Sequence, residues 1–190
     1  MQDSLDPDSK KGYYRYRGSK PKFVHSRQHS KWIWLWAGIS WFNKTELVFL
    51  DLGPKKSFNS DRYIEQVLAR VPDMLKTFPA KTLFMEDGAP YHTAKKFEDF
   101  RMMHRIRKFP TKGKKWPAKS PDLNPIENMW SDLKRRVHNM NPYPSTDAEM
   151  KKALSKIWND YSQDFVRRFI SSVSDRLNVC LGNEGGATKY

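Results

Sequence analysis

The sequence predicts an α/β domain, a mixed sheet flanked by helices. Three observations carry that reading. Apolar runs of strand length, punctuated by Gly and Pro, fill residues 23–52. Apolar residues at helical spacing dominate from residue 60 onward. Short apolar runs return between those helices, at 82–85 and 106–109. The resulting order is three strands, helix, strand, helix, strand and then helices, which is the order of a sheet covered by helices. At 190 residues the chain has the length of one domain that buries its own core. That domain is expected over 1–182, followed by a flexible tail at 183–190.

Each element has a local cause. Residues 1–22 are polar and broken by Gly and Pro, which suits a loose entry followed by a hairpin. Residues 23–24 and 32–39 read as strands, and the second is nearly all apolar, as a strand buried on both faces must be. Residues 46–52 make another strand, stopped by Gly53-Pro54. Ser60-Asp61 is a candidate cap for a helix in which Tyr63, Ile64, Val67, Leu68, Val71, Met74, Leu75 and Phe78 follow helical spacing. Pro72 predicts a kink or break inside it. Residues 82–85 form a short buried strand that runs into Glu86-Asp87-Gly88-Ala89-Pro90.

A helix at 93–103 and a strand at 106–109 come next. The loop at 110–124 is basic, Pro-rich and long for a compact domain, which marks it as functional or mobile. Residues 125–140 are helical. Asp147 is expected to cap a further helix, with Met150, Ala153, Leu154, Ile157, Trp158 and Tyr161 on one stripe. A last helix carries Phe165, Val166, Phe169, Ile170, Val173 and Leu177.

Charge narrows the function. The chain holds 35 Lys+Arg against 21 Asp+Glu, a net +14, with a pI near 9.8, so its surface attracts a polyanion, of which nucleic acid is the commonest. Two segments account for this. Residues 10–31, with Lys10, Lys11, Arg15 and Arg17 among eight cations and no acid, carry +8. Residues 95–119, with Lys112, Lys114, Lys115 and Lys119 among ten cations against Glu98 and Asp99, carry another +8. The first interleaves Tyr13, Tyr14 and Tyr16, a mixture that pairs phosphates and stacks bases, although a solvated hairpin would have the same composition. The single cysteine, Cys180, excludes a disulfide scaffold and a Cys-based zinc finger. Neither a membrane-spanning nor a secreted protein is expected, because the longest apolar run falls far short of the roughly 20 residues of a span and no secretory leader pattern opens the sequence.

Two carboxylates stand out. Asp87 follows a strand and precedes a Gly-Ala-Pro turn, the crevice position where α/β sheets bind ligands, and it is equally placed to be a turn aspartate bonding its own backbone. His92 either contributes to the same site or opens the next helix. Glu127 falls at the third position of a helix with Asn124 as candidate N-cap and Pro125 first, which is capping-box spacing. A capping role and a ligand role are both open for it. Trp130 and Lys134 lie one and two turns further along, Trp130 as core and Lys134 as a phosphate contact or a solvated charge.

Hard carboxylate oxygens suit Mg²⁺ or Mn²⁺, and two such ions roughly 3.5–4 Å apart activate a nucleophile and stabilise the leaving oxygen of a phosphodiester. Serine and cysteine nucleophile patterns, a GxxxxGK[ST] loop and an HExxH helix are all absent from the sequence. Metal-assisted phosphoryl chemistry is the enzymatic class these residues support.

The run WPAKSPDLNPIENMWSDLKRRV (116–137) resembles the signature around the third acidic residue of the Tc/mariner superfamily of DDE transposases. FMEDGAPYHTAKK (84–96) is similar to that family's second-acid motif, WIWLWAGIS (32–40) to its WGAIS-like strand, and RYIEQVL (62–68) to the helix between them. The resemblance implies an RNase H-like core and a Mg²⁺ or Mn²⁺ site. It also implies nicking of DNA at transposon ends and transfer of 3′-hydroxyl ends into target DNA. Asp87 matches the second catalytic acid and Glu127 the third, with His92 and Asn124 as polar neighbours. The basic candidates Lys10, Lys11, Arg15, Arg17, Lys112, Lys114, Lys115, Lys119 and Lys134 would grip DNA. A homodimer is compatible with this chemistry, and action would be nuclear in a eukaryote and cytoplasmic otherwise.

Three departures from the family pattern follow. Thirty-nine residues separate the two acids, more than is usual for the family, and Gly88 stands where members generally carry Asn. Leu5-Asp6 matches the Leu-Asp pair that trails the first acid, which places that acid, and the opening strand of the core, ahead of Met1. Asp3 and Asp6 lack the spacing to replace it, so a remnant that only binds nucleic acid stands as the alternative function.

Overall fold

The computed structural model describes residues 3–4, 33–53, 59–80, 82–86, 95–109, 116–117, 120–186 and 188–189. The expected strand at 23–24 and most of the entry hairpin lie outside them. Alternation along two short strands organises the rest. Strands β1 (Asp3–Ser4), β2 (Trp34–Trp36) and β3 (Val48–Leu50) form an antiparallel sheet in that order, with Trp34 opposite Leu50 and Trp36 opposite Val48. Successive side chains point to opposite faces. Ile33, Leu35 and Ala37 therefore enter one core with Leu47 and Phe49 packed against it, while Trp36, Val48 and Leu50 enter another. Burial on both faces is what the apolar run of β2 predicts.

Both strands are shorter than their apolar runs. Beyond Trp36 the ladder gives way to side-chain bonding, because the Gly38 N–H donates to Thr45 Oγ1 at 2.8 Å while the Thr45 N–H donates to the Gly38 carbonyl. Only an isolated bridge between Ile39 and Lys44 remains. The backbone of Asp3–Ser4 pairs with β2, Asp3 opposite Leu35. Pairing uses backbone donors and acceptors alone, so a two-residue polar strand leaves no apolar pattern to read.

Helices cover both faces. On one lie α1 (Ser60–Gln66), a 3₁₀ turn (Leu68–Arg70), α2 (Val71–Leu75) and α3 (Lys95–Met103), which contribute Tyr63, Val67, Leu68, Val71 and Phe97 to the core beneath Trp36. The break expected near Pro72 occurs just before it, and Pro72 falls at the start of α2 where its missing N–H costs nothing. The cap of α1 is Asn59, whose side chain accepts from the Arg62 N–H, and Ser60 is the first helical residue. On the other face pack α4 (Ile126–His138), α5 (Asp147–Asp160) and α6 (Gln163–Gly182). Thr146, not Asp147, caps α5 through a full capping box with Glu149, since the β-region cap must precede the first helical residue.

A second, parallel pair joins β4 (Phe84–Met85) to β5 (Lys108–Phe109). The residues of β4 are half-buried and Leu83 is exposed, so this strand is less enclosed than its composition predicts. A cavity opens on one side of it.

Candidate active site

The cavity, about 400 Å³, lies between the end of β2, helix α2, strand β4 and the start of α4. Ile39 and Ser40 line it from the first, Met74 and Leu75 from the second, and Phe84, Met85 and Glu86 from the third. Asn124, Pro125 and Ile126 close it from the approach to α4, and Ile170, Val173 and Leu177 from α6. Its wall is mostly apolar, interrupted by the polar residues Ser40, Thr45, Thr82, Glu86 and Asn124.

Glu86 directly follows β4 and is 8% exposed. A buried carboxylate needs a donor, and the Tyr63 hydroxyl supplies one to Oε1 from α1. Sequence reasoning passed over this pair. Alternation along Phe84-Met85-Glu86 was the available signal, because it turns the glutamate inward with Phe84. The next residue, Asp87, lies outside the described residues, as do His92, Lys10, Lys11, Arg15, Arg17, Lys112, Lys114, Lys115 and Lys119.

Across the cavity, a 3₁₀ turn (Pro121–Leu123) buries Leu123 and delivers the chain to α4. Asn124 has extended backbone (φ −95°, ψ 111°), while Pro125 is already helical, which aims the following N–H groups back at it. The Glu127 N–H donates to the Asn124 carbonyl at 3.1 Å, and Asn124 Oδ1 sits 3.4 Å from the Ile126 N–H. Asn124 thus caps the helix through the N–H of the second helical residue rather than the third. Glu127 is half-buried, with Oε1 withdrawn from solvent. Trp130 is core, as expected, stacked on Trp158 with ring centroids 5.4 Å apart. Lys134 is half-buried two turns along α4.

A negative charge in the first turn of α4 is stabilised by the helix dipole. Glu127 is therefore a hard oxygen donor in an anion-tolerant place, a donor type that fits Mg²⁺ or Mn²⁺. Among the described residues no group of three or more His, Cys, Asp and Glu converges to hold a metal. Asp122, one turn before, accepts from the Thr188 N–H at 2.8 Å, and that bond holds its carboxyl below the usual carboxylate range.

The chain is similar in sequence and fold to known proteins. Residues 2–151 match the family model described as DDE superfamily endonuclease. The chain is 27% identical over 187 residues to the transposable element Tc3 transposase of Caenorhabditis elegans, covering 97% of this chain and 54% of that protein. It is 29% identical over 145 residues to the Tcb1 transposase of Caenorhabditis briggsae, covering 73% and 50%. It thus spans about half the length of these relatives. Among solved structures, the mariner Mos1 paired end complex with Mg superposes with a TM-score of 0.78 at 19% identity, covering 100% of this chain and 55% of that one. The Mos1 catalytic domain with Raltegravir and Mg gives 0.70 at 19% identity, covering 83% and 78%. At such identities the likeness shows the fold, which is RNase H-like α/β.

Proposed function

The chain belongs to the DDE superfamily endonucleases, in their Tc/mariner branch, and from that premise we propose that it carries out the phosphoryl chemistry of DNA transposition with Asp87 and Glu127 as metal-holding acids. One observation carries the reading: the two segments that precede these acids face a single cavity. Glu86, whose successor is Asp87, lines one wall, and 124–126, whose successor is Glu127, line the other. Strand end and helix start are rigid supports, as a ligand pair requires.

Bound Mg²⁺ or Mn²⁺ would activate the attacking oxygen and stabilise the leaving one. The chain's own residues do the rest. Asp87 and Glu127 present carboxylate oxygens, while the Asn124 amide and, outside the described residues, His92 supply polar contacts beside them. In nicking, a water oxygen bonds to phosphorus as the bond to the 3′-oxygen breaks; in transfer, that 3′-hydroxyl oxygen bonds to a target phosphorus as the target strand's bond to its own 3′-oxygen breaks, the leaving oxygen taking up the proton. Lys134 and the basic segments 10–31 and 95–119 pair with phosphates. The solved Mos1 paired-end complexes, one of them with a left transposon end, support a reading in which two copies of this chain act on two ends, in the nucleus of its host.

The test is Mn²⁺-dependent nicking of a transposon-end duplex, alongside DNA affinity across a salt series. Asp87→Asn and Glu127→Gln should each abolish nicking while binding persists and weakens steeply with salt. Nicking at the parent rate by either variant removes that acid from the mechanism. Salt-dependent binding with no nicking by the parent would leave the binding-only remnant as the function.

A further inference from the structure

Helix α6 carries a buried cation that neither the cavity nor the family match explains. Arg176 is 1% exposed, although Asp175, Leu177 and Asn178 beside it are exposed. It lies beyond residues 2–151, the region matched to the family. Burying a guanidinium is costly unless its donors are used, and here they are used on three different pieces of chain. Nε donates to Ser172 Oγ at 2.9 Å within α6, Nη1 to the Asp122 carbonyl at 2.8 Å, and Nη2 to Asn128 Oδ1 at 2.6 Å.

The last two acceptors matter. Asp122 belongs to the 3₁₀ turn and Asn128 to the first turns of α4, so one rigid fork spans the junction that Glu127 occupies. Arginine holds its donors in a fixed plane, which sets both distance and angle between the pieces it joins. Asn128 directly follows Glu127, and neighbouring helical residues leave the axis about 100° apart. Fixing the Asn128 amide therefore fixes the rotation of this turn, and with it the direction in which Glu127 points. The Thr188 N–H, from the segment after α6, grips the Asp122 carboxylate at 2.8 Å and secures the same turn a second time.

We propose that Arg176 is a positioning residue for Glu127, holding the start of α4 at the angle that aims its carboxylate at a divalent cation. This rests on the metal-ligand reading of Glu127 given above. Partners that orient a ligand typically change metal affinity about 10–100-fold when altered.

The experiment measures Mn²⁺ affinity by titration calorimetry, and urea stability in EDTA, for Arg176→Lys, Ser172→Ala, Glu127→Gln and the double variant Glu127→Gln/Arg176→Lys. Arg176→Lys keeps the charge and loses the fork, and should weaken Mn²⁺ binding about tenfold. Ser172→Ala breaks only the bond inside α6 and should leave the affinity within about twofold, even where it lowers stability as much. With Glu127 already replaced, Arg176→Lys should cost no further affinity. Should Arg176→Lys fail to fold, Asn128→Ala, which removes the acceptor instead, carries the same expectation. Parent-like Mn²⁺ affinity in the positioning variant, or an equal loss with and without Glu127, overturns the proposal. Unchanged affinity in Glu127→Gln alone would instead overturn the ligand reading, and the positioning role with it.

Discussion

Replacing Tyr63 by Phe removes a single oxygen atom and tests how the far wall of the cavity is held. Tyr63 is 1% exposed and its hydroxyl donates to the Glu86 carboxylate. Its ring packs on Phe97 at a centroid distance of 5.6 Å, a contact that Phe keeps. The apolar contribution therefore cancels, and the loss is that of a buried hydrogen bond to a carboxylate, about 1.5–3 kcal/mol. For a chain of this length that corresponds to a fall in Tm of about 4–8 °C at a loss of about 2 kcal/mol. Urea unfolding of the metal-free protein measures it. Glu86→Gln supplies the internal control, because a neutral acceptor should reduce the cost of Tyr63→Phe to about 1 kcal/mol. A loss below about 0.5 kcal/mol, or the same loss in both backgrounds, would refute the claim that this bond pins β4 against α1.

Two further outcomes follow from the same structure. Asp132 on α4 is buried and accepts from Arg135, from Arg136 at 2.5 Å and from the Tyr161 hydroxyl at 2.8 Å. Burial pushes its carboxyl up, but the bonds from Arg135, Tyr161 and Arg136 together hold it below the ordinary value. A carboxyl depressed in the folded state stabilises above its unfolded value of about 3.9 and loses that contribution as pH falls through the folded value. Unfolding free energy should thus decline below about pH 4, and more shallowly in Asp132→Asn, as read by urea titrations at a series of pH values. Gly53 has φ +65°, and a Cβ there would lie 2.0 Å from Arg62 Nη2. Gly53→Ala should cost about 1–2 kcal/mol for the left-handed backbone, measured by the same unfolding assay, with an unchanged midpoint contradicting it.

What the sequence discloses and withholds divides along a physical line. The apolar run around Leu35 and Trp36 announces a strand buried on both faces, and Trp130 announces itself as core, because burial follows from composition and spacing alone. Strand ends are not legible, since Thr45 diverts the ladder at Gly38 by a side-chain bond that competes with pairing. The cap of α5 moves by one residue to Thr146 because Thr and Asp are both competent there, and the backbone decides between them. Tyr63 with Glu86, and Arg176 with Asn128, join residues far apart in the chain, so only packing reveals them.

The second of those bonds is one of several that converge on α4. Its stripe of Ile126, Met129, Trp130, Leu133 and Val137 lies against the core, and Trp130 stacks on Trp158 of α5. The Trp158 N–H in turn donates to the Thr45 carbonyl at 2.8 Å, tying α5 to the turn between β2 and β3. Lys44, in that turn, donates to the Tyr161 carbonyl at 2.9 Å where α5 ends, and burial lowers its ammonium pKa against the opposing pull of Asp160. The helix is thus fixed along its length by the sheet through α5, and at its start by α6 through Arg176. The backbone of the first turn inherits both constraints, so the Cα–Cβ direction of Glu127 cannot change without breaking one of them. Geometry set in advance is what phosphoryl transfer demands of its ligands, because misplacing a reacting group by about 1 Å can cost about a hundredfold in rate. On the ligand role proposed for Glu127, that demand gives the buried cation behind it a purpose.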